Sequence, residues 1–161
     1  MVRNLARGVF QYPQPPRIIS YASTVGQKEG DGPMGSCFDC VEPDAHFGQE
    51  TWEQAESVMQ RRTVQLALEK SGLRDSDLSC ICAGDLMNQC IGSTYGMRPL
   101  EIPLLGIYGG VFHYGRGTAD GVVSGGRRRG RIYGGSDFFP FFRGRAPVSV
   151  SALLRRPLTA V

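Results

Sequence analysis

The stretch AGDLMNQ, residues 83–89, holds the most promising polar cluster of the sequence, because Asp85 is followed closely by Asn88 and Gln89. A carboxylate and two carboxamides supply hydrogen-bond acceptors and donors for a polar ligand. The stretch follows LSCICAG, residues 78–84, a short apolar run typical of a strand buried in a parallel sheet. Ligands of α/β proteins bind beyond the carboxyl ends of such strands, so these three side chains are the predicted ligand-binding residues. A turn after Gly84, with Asn88 capping the next helix, explains the same residues without a ligand, and position alone favours neither interpretation.

The cysteines are the second group of candidate functional residues. Cys37 and Cys40 form a CxxC pair, and Cys80 and Cys82 form a CxC pair forty residues later. A zinc site needs both pairs on exposed turns, whereas Cys80 and Cys82 lie in the predicted buried strand, where cysteine acts as a small apolar side chain. Five cysteines at irregular spacing fit free thiols in a reducing compartment. We predict no metal ligand, no cofactor and no catalytic residue, and we interpret the two histidines, His46 and His113, as structural or incidental.

Charge divides the chain into two parts. Residues 1–110 hold nine Lys or Arg and thirteen Asp or Glu, whereas residues 111–161 hold nine Arg, no Lys and two Asp. A basic tail suggests a nucleic-acid partner, and the cluster Arg127, Arg128, Arg129 and Arg131 is its candidate. The tail has no nucleic-acid-binding motif, so we predict no nucleic-acid partner. The sequence has no apolar run long enough for a membrane span and no secretory signal, which favours an intracellular location.

The elements that position the polar cluster are readable from the hydrophobic pattern. Residues 51–72 predict a helix that begins after Thr51, with Gln54 completing a capping box and Gly72 as the stop; Trp52, Ala55, Met59 and Leu66 belong to its apolar stripe. RIISYA, residues 17–22, predicts an edge strand followed by a long loop to residue 48. A second helix is predicted to end before Pro99, and IPLLGIYG, residues 102–109, predicts a second buried strand. The fold class is α/β, with a right-handed βαβ unit around the cluster.

Several motifs in order give the chain a family resemblance. PPRIISYASTVGQKEGDGPMG, the pair Phe38 and Asp39, WEQAE, AGDLMNQ and IPLLGIYGG resemble the stage V sporulation protein AD family over about residues 15–109. The resemblance implies a thiolase-like αβαβα fold, of which residues 1–110 are a truncated, partial N-terminal half. It also implies a sporulation protein that binds dipicolinic acid, for uptake into the developing endospore and release on germination. Other spore membrane channel subunits are the implied partners, with a homodimer in intact relatives and a soluble or peripheral place at the spore inner membrane.

The resemblance fails where thiolases carry their nucleophile. The family continues with Gly-Ala-Cys-Ser-Thr-Met, whereas this chain has Gly109, Gly110, Val111 and Phe112. Thiolase chemistry needs a thiolate there, so the resemblance implies a protein without enzymatic activity. A fragment of a thiolase or ketosynthase-type acyltransferase is the alternative.

The genetic code offers an explanation for the lost motif. Val-Phe-His-Tyr-Gly-Arg, residues 111–116, can be written in codons that encode Cys-Ser-Thr-Met-Ala-Glu when they are read one base later and continued into the first base of Gly117. The same shift permits family-like sequence further along the tail. We therefore interpret residues 111–161 as a frameshifted, poorly ordered tail rich in Arg and Gly, attached to an inactive fragment.

Overall fold

A computed structural model describes residues 3–6, 9–11, 17–85, 90–107, 131–138 and 148–155 of the chain. The strands are β1 (Arg3–Ala6), β2 (Val9–Gln11), β3 (Arg17–Gly26), β4 (Cys40–Glu42), β5 (Cys80–Gly84), β6 (Leu104–Gly106), β7 (Arg131–Phe138) and β8 (Val148–Arg155). The α-helices are α1 (Gln27–Gly30), α2 (Trp52–Ser71) and α3 (Ile91–Met97), and short 3-10 helices cover Gly35–Cys37, Asp75–Asp77 and Arg98–Leu100.

Six strands form one mixed sheet in the order β4-β3-β8-β7-β5-β6, and β1 and β2 form a separate antiparallel pair. The β5 strand pairs in parallel with both β6 and β7, and β3 pairs in parallel with β4. Only β8 among these strands runs antiparallel to its neighbours, β3 and β7. It follows that β3, β5, β6 and β7 share one direction, and their carboxyl ends lie at the same edge of the sheet. The predicted α/β class and the parallel strands around the polar cluster are confirmed.

The first predicted strand is longer than expected and lies inside the sheet. It covers Arg17–Gly26 and has β4 on one side and β8 on the other, so the prediction of an edge strand was wrong. The physical reason is the pairing with β8, which extends along β3 as far as Val25. The predicted loop that follows contains α1, a 3-10 turn and β4.

The structure describes two strands in the basic tail. β7 and β8 lie within residues 111–161, the segment interpreted from the sequence as a poorly ordered tail. Val148–Arg155 begins with alternating Val and Ser, the two-residue period of a strand, and the Arg and Gly excess of the surrounding tail conceals it. Residues 108–130, which include His113 and most of the Arg cluster, lie outside the described part of the chain. The division at residue 110 stays a prediction.

The long helix α2 forms as its sequence predicts. The Thr51 hydroxyl accepts a hydrogen bond from the Gln54 N–H at 3.3 Å, and Gly72 ends the helix with a left-handed φ of 68°. Its buried face contributes Val64, Ala67 and Leu68 to a core shared with β3, β5 and α3. Trp52 was predicted in the apolar stripe but is 45% exposed. It stands at the helix start beyond this core, where its ring contacts His46 with centroids 4.1 Å apart.

Helix α3 packs against α2 through two glycines. A Cβ on Gly96 would lie 2.7 Å from the Ser57 carbonyl oxygen, and a Cβ on Gly92 would lie 2.5 Å from Glu56 Oε2. The Ser57 hydroxyl donates to the Gly92 carbonyl at 3.0 Å. Small residues one helical turn apart therefore let the two helices approach closely, which fixes α3 relative to the core.

Candidate ligand-binding site

The carboxyl ends of β5 and β6 lie side by side and define the candidate site. Ile81 pairs with Leu104 and Ala83 with Gly106, and the Ile107 N–H donates to the Ala83 carbonyl at 2.9 Å. The chain leaves both strands at this edge, through Asp85 after β5 and through Ile107 after β6. The βαβ arrangement predicted from the sequence is therefore present, with α3 between the two strands.

Asp85 directs its carboxylate back into the protein. The side chain is buried, and Oδ1 accepts from the Cys90 N–H at 3.0 Å. Oδ2 accepts from both the N–H and the hydroxyl of Ser93, each at 2.7 Å. One carboxylate thus ties the end of β5 to the beginning of α3. The predicted residues Asn88 and Gln89 lie outside the described part of the chain, between these two anchor points.

The start of α3 is capped differently from the sequence interpretation. The residue at the N-cap position is Cys90, and the side chain that accepts the amide hydrogens of Cys90 and Ser93 belongs to Asp85. The capping function assigned to Asn88 from its position is therefore performed by Asp85, five residues before Cys90. Local spacing rules do not detect a cap that reaches across a loop.

Ser93 and Cys90 are the residues of this region that sequence reasoning missed. Ser93 is fully buried and accepts a hydrogen bond from Gln60 Nε2 of α2 at 3.2 Å. Cys90 is buried with a left-handed φ of 70°, and its thiol donates to the Ile107 carbonyl at 3.5 Å. The sequence signal for Ser93 is weak: it is a serine in the first turn of the short helix α3, close after Asp85.

The Cys90 thiol is not prepared for nucleophilic chemistry. Burial raises the pKa of this thiol, and the nearby carboxylates of Asp85 and Glu56 raise it further. A reactive cysteine needs the opposite environment, with a lowered pKa and access to solvent. The environment of Cys90 therefore favours the protonated thiol.

The two cysteine pairs lie far apart in the sheet. Cys40 begins β4, Cys80 begins β5, and three strands separate these two strands. Four strand spacings amount to roughly 19 Å, so the pairs do not share one zinc ion. Across the residues that the structure describes, no three His, Cys, Asp or Glu side chains converge as a metal site.

Asp39 of the Phe38-Asp39 motif forms a second polar anchor, away from the candidate site. Its carboxylate accepts from the Ser23 N–H at 2.9 Å and from Lys70 Nζ at 2.8 Å, while Lys70 also lies 4.5 Å from the centre of the Tyr21 ring. Partial burial opposes ionisation, but the bonds from Lys70 and Ser23 outweigh it and hold the pKa of Asp39 below its ordinary value. The anchor joins the end of α2 to β3.

Comparison with known proteins shows the family of the chain. The family model of stage V sporulation protein AD matches residues 7–121, which is most of the chain. This chain belongs to the stage V sporulation protein AD family. Stage V sporulation protein AD of Bacillus subtilis (strain 168) is 39% identical over 101 residues, covering 63% of this chain and 29% of that protein. The chain thus spans less than a third of this curated relative.

Solved structures similar to this stage V sporulation protein AD family member have thiolase-like folds. MvaS in complex with 3-hydroxy-3-methylglutaryl coenzyme A aligns with a TM-score of 0.56 and 9% identity, covering 89% of this chain and 40% of that chain. The 3-oxoacyl-(acyl-carrier-protein) synthase III from Aquifex aeolicus VF5 gives 0.55 and 11% identity, covering 88% and 54%. The priming β-ketosynthase from the R1128 polyketide biosynthetic pathway gives 0.52 and 15% identity, covering 91% and 52%. The thiolase-like fold predicted from the resemblance is confirmed.

The family match continues to residue 121, past Val111 and Phe112, and Cys90 is the last cysteine of the sequence. Within the described residues, no helix combines the length and apolar character that crossing a membrane requires.

Proposed function

We propose that this family member acts in sporulation by binding dipicolinic acid, for uptake into the developing spore and release on germination. The observation that carries the proposal is family membership over residues 7–121, together with the position of Asp85 directly after the carboxyl end of β5. In open α/β sheets, ligands bind beyond the carboxyl ends of the parallel strands. The role is one of ligand binding, without chemical change of the ligand.

The three predicted site residues take different parts in this proposal. Dipicolinate carries two carboxylates and is bound best by hydrogen-bond donors. The carboxamides of Asn88 and Gln89 supply such donors, whereas the carboxylate of Asp85 repels an anion and already accepts three hydrogen bonds. Asn88 and Gln89 are therefore the proposed contacts, and Asp85 holds the segment on which they stand.

The proposal extends to partners and location. Other subunits of the spore membrane channel are the proposed partners, with a homodimer in intact relatives, and the protein is proposed to act at the inner membrane of the spore as a soluble or peripheral component. Nucleic acid has no part in it. These assignments rest on family membership.

Acyl transfer is excluded from the proposed role. The nucleophile position holds Val111 and Phe112, which have no thiol, and the buried Cys90 has a raised pKa. The frameshift explanation is part of the same proposal, since a shift of one base permits codons for Cys-Ser-Thr-Met at residues 111–114. It explains why a chain of this family carries a tail with nine Arg and no Lys. The chain as written is therefore proposed to be inactive as an acyltransferase.

Two assays test the proposed function against the acyltransferase alternative. Isothermal calorimetry with dipicolinate on the protein with its reading frame restored after Gly110 is expected to give a saturable signal that benzoate, with one carboxylate, does not reproduce at the same concentrations. The chain with residues 111–161 out of frame is expected to bind neither compound. An acyl-CoA thiolysis assay on the same protein is expected to show no turnover above a heat-inactivated control. Turnover without dipicolinate binding would replace the proposal with the acyltransferase alternative.

A further inference from the structure

We propose that the contact between His46 and Trp52 is pH-sensitive: it holds the loop of residues 44–49 against helix α2 at neutral pH and releases the loop in mild acid. The two rings lie with their centroids 4.1 Å apart and their planes tilted by 33°. His46 belongs to the segment that joins β4 to α2, and Trp52 is the first residue of α2. Histidine is the side chain whose charge ordinarily changes between pH 5 and 8, so the contact joins a titratable group to the helix.

One nitrogen of the His46 ring is buried. Nδ1 is closed off from solvent, and none of the described residues provides a hydrogen-bond partner for it. In the neutral imidazole this nitrogen can remain without a proton, so that only a lone pair is left unpaired. In the imidazolium both ring nitrogens carry a proton, and a buried charged donor costs more than a buried neutral acceptor. Cation–π attraction to a half-exposed tryptophan is weaker than this cost, so protonation favours a ring that has left Trp52 and is hydrated at Nδ1.

The loop around His46 has a strained backbone. The Asp44 carboxylate accepts from the His46 N–H at 3.0 Å and from the Gly48 N–H at 2.7 Å. Phe47 stands between these two donors in the left-handed region, with a φ of 52°, and its side chain packs into a cluster with Met59 of α2. A residue other than glycine is costly in this region and is kept there by the contacts around it. Loss of the His46 ring contact therefore removes one of the contacts that hold the loop in this shape.

The charged groups of the loop and of α2 leave His46 as the group that titrates. The N–H groups of His46 and Gly48, together with the nearby imidazole, hold the pKa of the Asp44 carboxyl below its ordinary value of 3.8, so Asp44 stays ionised between pH 5 and 8. The other charged residues from the end of β4 to the middle of α2 are Glu42, Glu50, Glu53, Glu56, Arg61 and Arg62. Both arginines lie more than two helical turns beyond Trp52. The loop and the first turns of α2 therefore present carboxylates, and no cation, to the imidazolium.

The chain contains its own reporter of this contact, because Trp52 is its only tryptophan and His46 is one of its two histidines. Quenching of Trp52 fluorescence by acrylamide, an uncharged probe, is measured on the full chain from pH 8 to pH 5. Trp52 is already 45% exposed, so we expect release of the His46 ring to raise the quenching constant by at most about twofold, in a single-proton step. His46→Gln, which does not titrate in this range, should show no step. His113→Gln is the matched control and should keep the step of the wild type.

A quenching constant that is the same at pH 8 and pH 5 in the wild type overturns the proposal, and so does an equal step in His46→Gln. A step that coincides with loss of the helical circular dichroism signal also overturns it, because the chain then unfolds as a whole. If His46→Gln does not fold, NMR of the wild type gives the same decision: the single indole N–H signal should shift with the midpoint of the His46 imidazole signals, and a different midpoint contradicts the proposal. No ligand is added, so the result does not depend on dipicolinate binding.

Discussion

Asp85 and Ser93 are joined twice, because one carboxylate oxygen of Asp85 accepts both the backbone N–H and the hydroxyl of Ser93 at 2.7 Å. This double contact joins the end of β5 to the first turn of α3 at the carboxyl edge of the sheet. Asp85, predicted from the sequence to touch a ligand, has its carboxylate occupied by the backbone and side chain of α3.

Replacing this carboxylate should destabilise the protein. Asp85→Asn keeps the size of the side chain but places an NH₂ group against buried donors, so we expect the free energy of unfolding to fall by about 2–3 kcal/mol. Urea denaturation followed by circular dichroism measures the change. Asp75→Asn, at an exposed residue that accepts a hydrogen bond from the Ser76 N–H at 2.7 Å, is the matched control and should cost at most about 0.5 kcal/mol. Equal losses of unfolding free energy in the two variants would show that the hydrogen bonds of Asp85 to Cys90 and Ser93 contribute no more than an exposed hydrogen bond.

The close approach of α2 and α3 should make Gly96 intolerant of a side chain. The Cβ of Gly96→Ala would meet the Ser57 carbonyl oxygen at 2.7 Å, and this backbone atom has no rotamer by which to move away. We expect a loss of about 1–3 kcal/mol in unfolding free energy, although alanine favours a helix more than glycine does. Thr94→Ala, on the exposed side of the same helix, serves as the control and should be nearly neutral. A stabilised Gly96→Ala variant would mean that the helices lie further apart than described.

The ion pair of Asp39 with Lys70 should make stability fall in acid. The pKa of Asp39 is lowered from its ordinary value of 3.8, so its contribution is present above that value and is lost as the pH falls through the lower folded value. We expect the pH profiles of unfolding free energy for the wild type and Asp39→Asn to differ at neutral pH and to converge as the pH falls below 3.8 and through the lowered pKa of folded Asp39. Lys70→Gln should reduce the difference in the same pH range. Profiles that stay parallel from neutral pH into acid would show that the ion pair of Asp39 with Lys70 does not contribute to the pH dependence of stability.

The elements that local sequence patterns define were predicted correctly, whereas contacts between distant segments were not. Helix α2 was predicted from Thr51 and Gly72, and β5 from its unbroken apolar run, because caps and periodicity are local properties. The internal place of β3 depends on pairing with β8, more than a hundred residues later, and no local pattern encodes that contact. The hydrogen bonds from Ser93 to Asp85 were not predicted, for the same reason. Asp85 lies five residues before the N-cap position of α3, whereas capping rules consider the side chain of the N-cap residue itself.

The frameshift interpretation predicts a definite result at the gene. Sequencing the locus should reveal a single-base difference near the codons for Gly109 and Gly110, after which the frame encodes Cys-Ser-Thr-Met. The mass of the intact protein from cells should then differ from the 17.6 kDa of this sequence. Genomic reads and an intact mass that both agree with the present tail would make residues 111–161 a true product and end this interpretation.

The most direct test of the account is a calorimetric titration with dipicolinate of the frame-restored protein, the wild type of this comparison, alongside the double variant Asn88→Ala/Gln89→Ala. Asn88 and Gln89 lie between Asp85 and Cys90 in the sequence, and the carboxylate that accepts the Cys90 N–H belongs to Asp85. The account predicts saturable binding by the wild type and at least tenfold weaker binding by the double variant, with the loss of one or more hydrogen bonds to a charged ligand as the reason. Equal affinity in the two proteins, or no binding to the wild type, would contradict the placement of a dipicolinate site at this edge of the sheet.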